Sequence, residues 1–75
     1  MIALNEFLGL VNDELGIDAD SGDLDRPLDQ LPGWDSVLLL KLITVLETAT
    51  ATPQSLPALL HSANLRQLQQ NVRVP

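Results

Sequence analysis

Cysteine is absent from the 75 residues. That excludes disulfides, zinc-thiolate sites and cysteine nucleophiles together, and any thiol chemistry has to come on a group supplied from elsewhere. Tyrosine is absent too, and Phe7 and Trp34 are the only aromatic side chains, so a core must be aliphatic. Basic residues are scarce: four Lys and Arg stand against ten Asp and Glu, for a net charge of −6. A phosphate backbone repels such a chain, which argues against nucleic acid and favours partners with basic patches. A long apolar run is also missing. The run at residues 37–40 is broken by Lys41, and the stretch ends at Glu47, well short of the roughly 20 residues a spanning helix needs. The opening "MIALNEFLGL" has no basic segment and carries Glu6 early, unlike a secretory signal. These absences lead to the expectation of a soluble, cytoplasmic protein with no membrane partner.

What is present suffices for one small domain, residues 1–75. Hydrophobic residues make up 45 %, enough to build a core. Residues 4–15 read as a helix, because Leu4, Leu8, Val11 and Leu15 recur every three or four positions and Phe7 widens the stripe. Gly16 fits the stop, and Ile17 the apolar contact after it. Residues 18–35 follow with six aspartates, Gly22, Pro27, Pro32 and Gly33, and no period. This reads as a long loop that Leu24, Leu28 and Leu31 pin to the core, and such loops are often functional.

A second helix is expected over about 36–48, with Leu39 or Leu40, Ile43 and Leu46 as its core stripe. Its apolar residues run round most of the helix, so part of the face is expected to be exposed, with Val37, Leu38 and Val45 the candidates. The segment "TATATPQ" breaks it. A short third helix, about 56–61, has Ser55 as cap and Pro57 in its first turn. A fourth, about 63–72, has Ser62 or Asn64 as cap and Leu65, Leu68 and Val72 as stripe. The tail "RVP" is expected to fray. No strand pattern competes, so the fold class is all-α.

Three chemistries suggest themselves. Ser36 and the single histidine, His61, supply a nucleophile and a base. However, a serine hydrolase needs a third group to orient the base, and the sequence has neither a Gly-x-Ser-x-Gly elbow nor a strand to build one on. The acidic run "DADSGDLDRPLD" invites a calcium loop. It fails at three points: Gly22 offers no ligand, Asp23 stands where glycine is required, and Asp29 replaces the closing glutamate. Ser36 itself precedes an apolar helix, the place of an N-cap. The same helix N-terminus favours an anion such as a phosphate group, so cap and attachment point both remain open on the residues alone.

The stretch "WDSVLLLKLITVLE" resembles the phosphopantetheine attachment site of acyl and peptidyl carrier proteins, whose usual motif is Asp-Ser-Leu at the start of the second of four helices. The amphipathic first helix, the long leucine-spaced loop, the short third helix and the capped last helix extend the resemblance across about residues 4–72. It implies a four-helix acyl-carrier-like bundle. It also implies a non-catalytic carrier with phosphopantetheine joined to Ser36 by a Mg²⁺-dependent phosphopantetheinyl transferase. The arm's thiol would hold acyl or aminoacyl groups as thioesters, which fits a chain without cysteine. Asp35 matches the acidic residue that helps dock the transferase, and Val37 takes the place of the motif leucine. Trp34, Leu38 and Lys41 complete the expected partner-binding set, facing loading and downstream biosynthetic enzymes, with the carrier a monomer.

Two departures from the pattern bear on the pathway. The second helix of fatty-acid carriers is usually studded with acids, and here it holds only Glu47. Peptidyl carriers usually have Gly-Gly-His/Asp-Ser, and here Trp34 replaces the second glycine. Docking is therefore expected to be apolar and weakly salt-dependent, in a specialised polyketide or nonribosomal-peptide pathway. Met1 and the lack of linkers lead to the expectation of a free-standing carrier. The alternative is a helical interaction module in which Ser36 is only a cap.

Overall fold

The computed structural model describes residues 1–74 as four α-helices: α1 Leu4–Leu15, α2 Ser36–Thr50, α3 Leu56–Leu60 and α4 Leu65–Asn71. No strand forms among the described residues. Phe7, Val11 and Leu15 of α1 meet Leu39, Leu42 and Leu46 of α2, and Leu59, Leu65 and Leu68 from α3 and α4 close an aliphatic core. Gly16 ends α1 at φ 69°, a left-handed conformation that glycine adopts without a Cβ penalty. The chain turns there and buries Ile17.

The segment between α1 and α2 is not structureless. Two 3-10 turns, Ser21–Asp23 and Leu28–Gln30, interrupt it. The Asp20 and Asp23 side chains form a capping box around the first, each accepting the other's backbone N–H. Asn12 fastens the start of the segment, since its amide donates to the Ala19 carbonyl (2.9 Å) and accepts from the Ala19 N–H (2.8 Å). Leu24 and Leu31 are buried. Backbone bonds from Leu28 N–H to the Ala63 carbonyl and from Arg66 N–H to the Leu24 carbonyl tie the segment to the start of α4. Arg66 adds an exposed ion pair to Asp25 at 2.7 Å.

Several helix limits differ from the periodicity. α2 runs two residues beyond Thr48, because the helix cost of threonine is small and Thr50 Oγ1 donates to the Leu46 carbonyl at 2.7 Å. It stops at Ala51, whose φ of 53° is left-handed for a residue with a Cβ. α3 ends at Leu60, with His61 as its C-cap residue. α4 starts at Leu65, because the Asn64 side chain takes the Gln67 N–H and fixes the cap there. The tail is held at Arg73, whose N–H and carbonyl both bond to the Gln54 amide at 2.8 Å. Pro75, the last residue of the tail expected to fray, lies outside the described residues.

Candidate functional site

"LPGW" builds the approach to Ser36. Trp34 N–H bonds to the Leu31 carbonyl at 3.1 Å, and Gly33 sits at φ 81° after Pro32. This is the geometry of a type II turn, with proline at its second position and glycine at its third. A side chain at position 33 would be strained by that φ and would also meet Ile17 Cδ1 at 3.4 Å. The turn delivers Trp34 half-buried against the core and Asp35 extended, at φ −153° and ψ 178°.

Asp35 caps α2. Its Oδ1 accepts the Leu38 N–H at 2.9 Å, which corrects the reading of Ser36 as the cap. A cap residue has extended backbone, and at this junction Asp35 takes that conformation while Ser36 is the first helical residue. The Ser36 hydroxyl is exposed and enters no hydrogen bond among the described residues. The protein has three other serines. Ser55 caps α3, and Ser62 is buried with its hydroxyl bonded to the Ala58 carbonyl and to Asn71. Ser21 is exposed in the acidic segment between α1 and α2. Ser36 is the serine that stands free at the head of a long helix.

A shallow cleft of about 370 Å³ lies beside it. Leu28 and Trp34 line it together with Asp35, Ser36 and Leu39 at the head of α2 and Leu59 and Leu60 of α3. His61 is exposed and does not line this cleft. No group of three or more potential ligands that could hold a metal ion forms among the described residues, and no helix of the described residues is long and apolar enough to cross a membrane.

Exposure on α2 sorts the expected partner residues. Val37 is 69 % exposed, whereas Leu38 and Val45 are half-buried. Leu40, expected as a core alternative to Leu39, is 56 % exposed, while Leu42 is fully buried and takes a place in the stripe. Lys41 is exposed and Ile43 only half-buried. The reason is the helical repeat: Leu39, Leu42 and Leu46 lie on one side, and Val37 and Leu40 turn outward together. On α3, Leu56 and Leu60 are also exposed, at 38 % and 57 %. Sequence reading missed these two, although their i, i+4 spacing in "SLPALLHS" marks a shared face. Val37, Leu40, Leu56 and Leu60 thus supply exposed apolar side chains on the two helices beside Ser36.

The family model described as the phosphopantetheine attachment site matches residues 5–71. No curated protein and no solved structure matches the chain in the corresponding comparisons.

Proposed function

The chain belongs to the phosphopantetheine-attachment family, and on that premise we propose that Ser36 is the residue that carries the arm. Members of this family are carriers rather than enzymes, and their prosthetic group is covalently bound. The observation that supports Ser36 is the division of labour with its neighbour. Asp35 takes the Leu38 N–H, leaving the Ser36 hydroxyl exposed and uncommitted at the start of α2. The attachment step is a transfer from coenzyme A. The serine oxygen forms a bond to the β-phosphorus of the pyrophosphate, 3′,5′-adenosine bisphosphate leaves, and the hydroxyl proton goes to a base of the transferase. The helix N-terminus favours the resulting phosphodiester, while the Asp35 carboxylate that caps the same helix opposes the added charge until a basic partner docks.

Asp35, Trp34, Val37 and Lys41 belong to the docking surface in this reading, with Leu40, Leu56 and Leu60 joining it and half-buried Leu38 supporting it from beneath. An interface of this composition is governed by apolar burial and has little salt dependence. That favours a polyketide or nonribosomal-peptide pathway over housekeeping fatty-acid synthesis, for a carrier that raises the effective concentration of its cargo at successive active sites. The test is incubation with coenzyme A and a broad-specificity phosphopantetheinyl transferase, followed by intact-mass measurement. The expected result is a gain of one phosphopantetheine by the wild type and none by Ser36→Ala. Loading that persists in Ser36→Ala overturns the assignment.

A further inference from the structure

A second groove opens between α1 and α2, with a volume of about 240 Å³. Leu10 and Glu14 form its α1 wall; Thr44, Val45, Thr48 and Ala49 form its α2 wall. It shares no lining residue with the cleft at Ser36, and Val45 lies about 13 Å further along α2 at the ordinary helical rise. Thr44 with Thr48, and Val45 with Ala49, stand four residues apart on one side of α2. These are short side chains, so the α2 wall is low and the groove is open to a large apolar side chain from outside.

The charges beside the groove are placed against the interest of the isolated fold. Asp13 and Glu14 lie in the last turn of α1, where unpaired carbonyls already carry partial negative charge, and that turn holds no basic residue. The ion pairs of the described residues, Arg26 with Asp23 and Arg66 with Asp25, leave both acids out. None of the four Lys and Arg lines the groove. A cation supplied from outside would relieve this, and a chain of net charge −6 attracts basic partners over distance.

We propose that this groove docks a basic amphipathic helix of a partner protein, with a leucine-sized side chain seated between Leu10 and Val45 and an arginine or lysine paired with Glu14. The site is independent of Ser36. A partner held there leaves the head of α2 free to engage a second protein.

The experiment titrates ¹⁵N-labelled full chain with a synthetic helical peptide that carries leucines at i and i+4 flanked by arginines. A twin peptide with glutamates in place of the arginines serves as control. Amide shifts are expected at Leu10, Glu14, Val45 and Ala49, with affinity falling as salt is added. The twin and the Glu14→Arg protein should each bind on the order of tenfold more weakly. Glu14→Arg should melt no lower than the wild type, because it places a cation at a helix C-terminus, so its loss of binding is not loss of fold. Equal binding by the twin, unchanged binding by Glu14→Arg, or no shifts at these amides overturns the proposal. Two other results also overturn it: concentration-dependent shifts at these amides without peptide, which place a second copy in the groove, and the same shifts on phosphopantetheine loading alone, which place the arm there.

Discussion

Replacing Ser36 and Asp35 in turn separates a capping residue from an attachment residue. Asp35→Ala removes the bond to the Leu38 N–H, a loss of about 1 kcal/mol for an N-cap. It also removes a carboxylate from the positive end of a 15-residue helix, which adds a few tenths of a kcal/mol. For a chain of 75 residues the unfolding entropy near the midpoint is about 0.16 kcal/mol per kelvin. The melting midpoint of Asp35→Ala should therefore fall by about 6–9 °C. Asp35→Asn keeps a cap oxygen and should lose less, about 2–3 °C, from the charge alone. Ser36→Ala breaks no hydrogen bond and should move the midpoint by less than about 3 °C, the ordinary range for an exposed site, while abolishing phosphopantetheine loading. Circular dichroism melts of the unloaded proteins and intact-mass assays on the same samples supply both readouts. A midpoint drop of 6 °C or more in Ser36→Ala, with Asp35→Ala near wild type, would refute the assignment of the cap to Asp35 and restore Ser36 as the capping residue.

Other outcomes follow from the core, the loop anchor and the apolar surface. Leu42→Ala, at a fully buried position, should cost about 2–5 kcal/mol in urea unfolding, enough to leave so small a domain largely unfolded near its working temperature. The hydrogen bond from Arg66, aided by its charge, holds the Asp25 carboxyl below its ordinary value of 3.8. A group with a depressed pKa contributes stability above that ordinary value and loses it as pH falls through the folded value. Arg66→Gln should therefore melt below the wild type at pH 6, and the gap should close on acidification from about pH 4 downward and narrow in high salt. Leu40→Asp and Leu60→Asp alter exposed positions. Each should leave the melting midpoint nearly unchanged and lower kcat/KM for transferase loading by about tenfold through lost apolar contact; unchanged kcat/KM in both would remove α2 and α3 as the docking surface.

Legibility from the sequence tracked the degree of amphipathic contrast. In α1 apolar and polar residues alternate clearly with the helical repeat, and Phe7, Val11 and Leu15 of the expected stripe are the buried residues of that helix. In α2 seven of the first ten residues are apolar, so several stripes fit the pattern equally well. The inward side is decided by what α1, α3 and α4 present to it, and those contacts select Leu42 over Ile43 and turn Leu40 out. The amide clamps escape any periodicity. Asn12 on Ala19, Gln54 on Arg73, and Gln69 on the Ile2 carbonyl join backbone groups up to 67 positions apart, and polar side chains of this type carry no spacing rule that would announce such partners.

The two adjacent cap-forming residues at positions 35 and 36 show the same limit at the finest scale. Either residue type suits a helix N-cap, so composition cannot assign the role, and a helix that began one residue later would pass the cap from Asp35 to Ser36. The position is set by the turn at Leu31–Trp34. Pro32 and Gly33 fix its shape, and Trp34 anchored against the core places Asp35 in extended backbone. If Ser36 were the cap, its hydroxyl would be tied to a helix N–H, and any chemistry at that oxygen would cost the cap. With the carboxylate one residue earlier holding the helix, a group can be added to the Ser36 oxygen without withdrawing a bond that α2 needs. On this argument a variant that lengthens the turn by one residue, leaving Asp35 and Ser36 in place, should impair loading even though both side chains are retained.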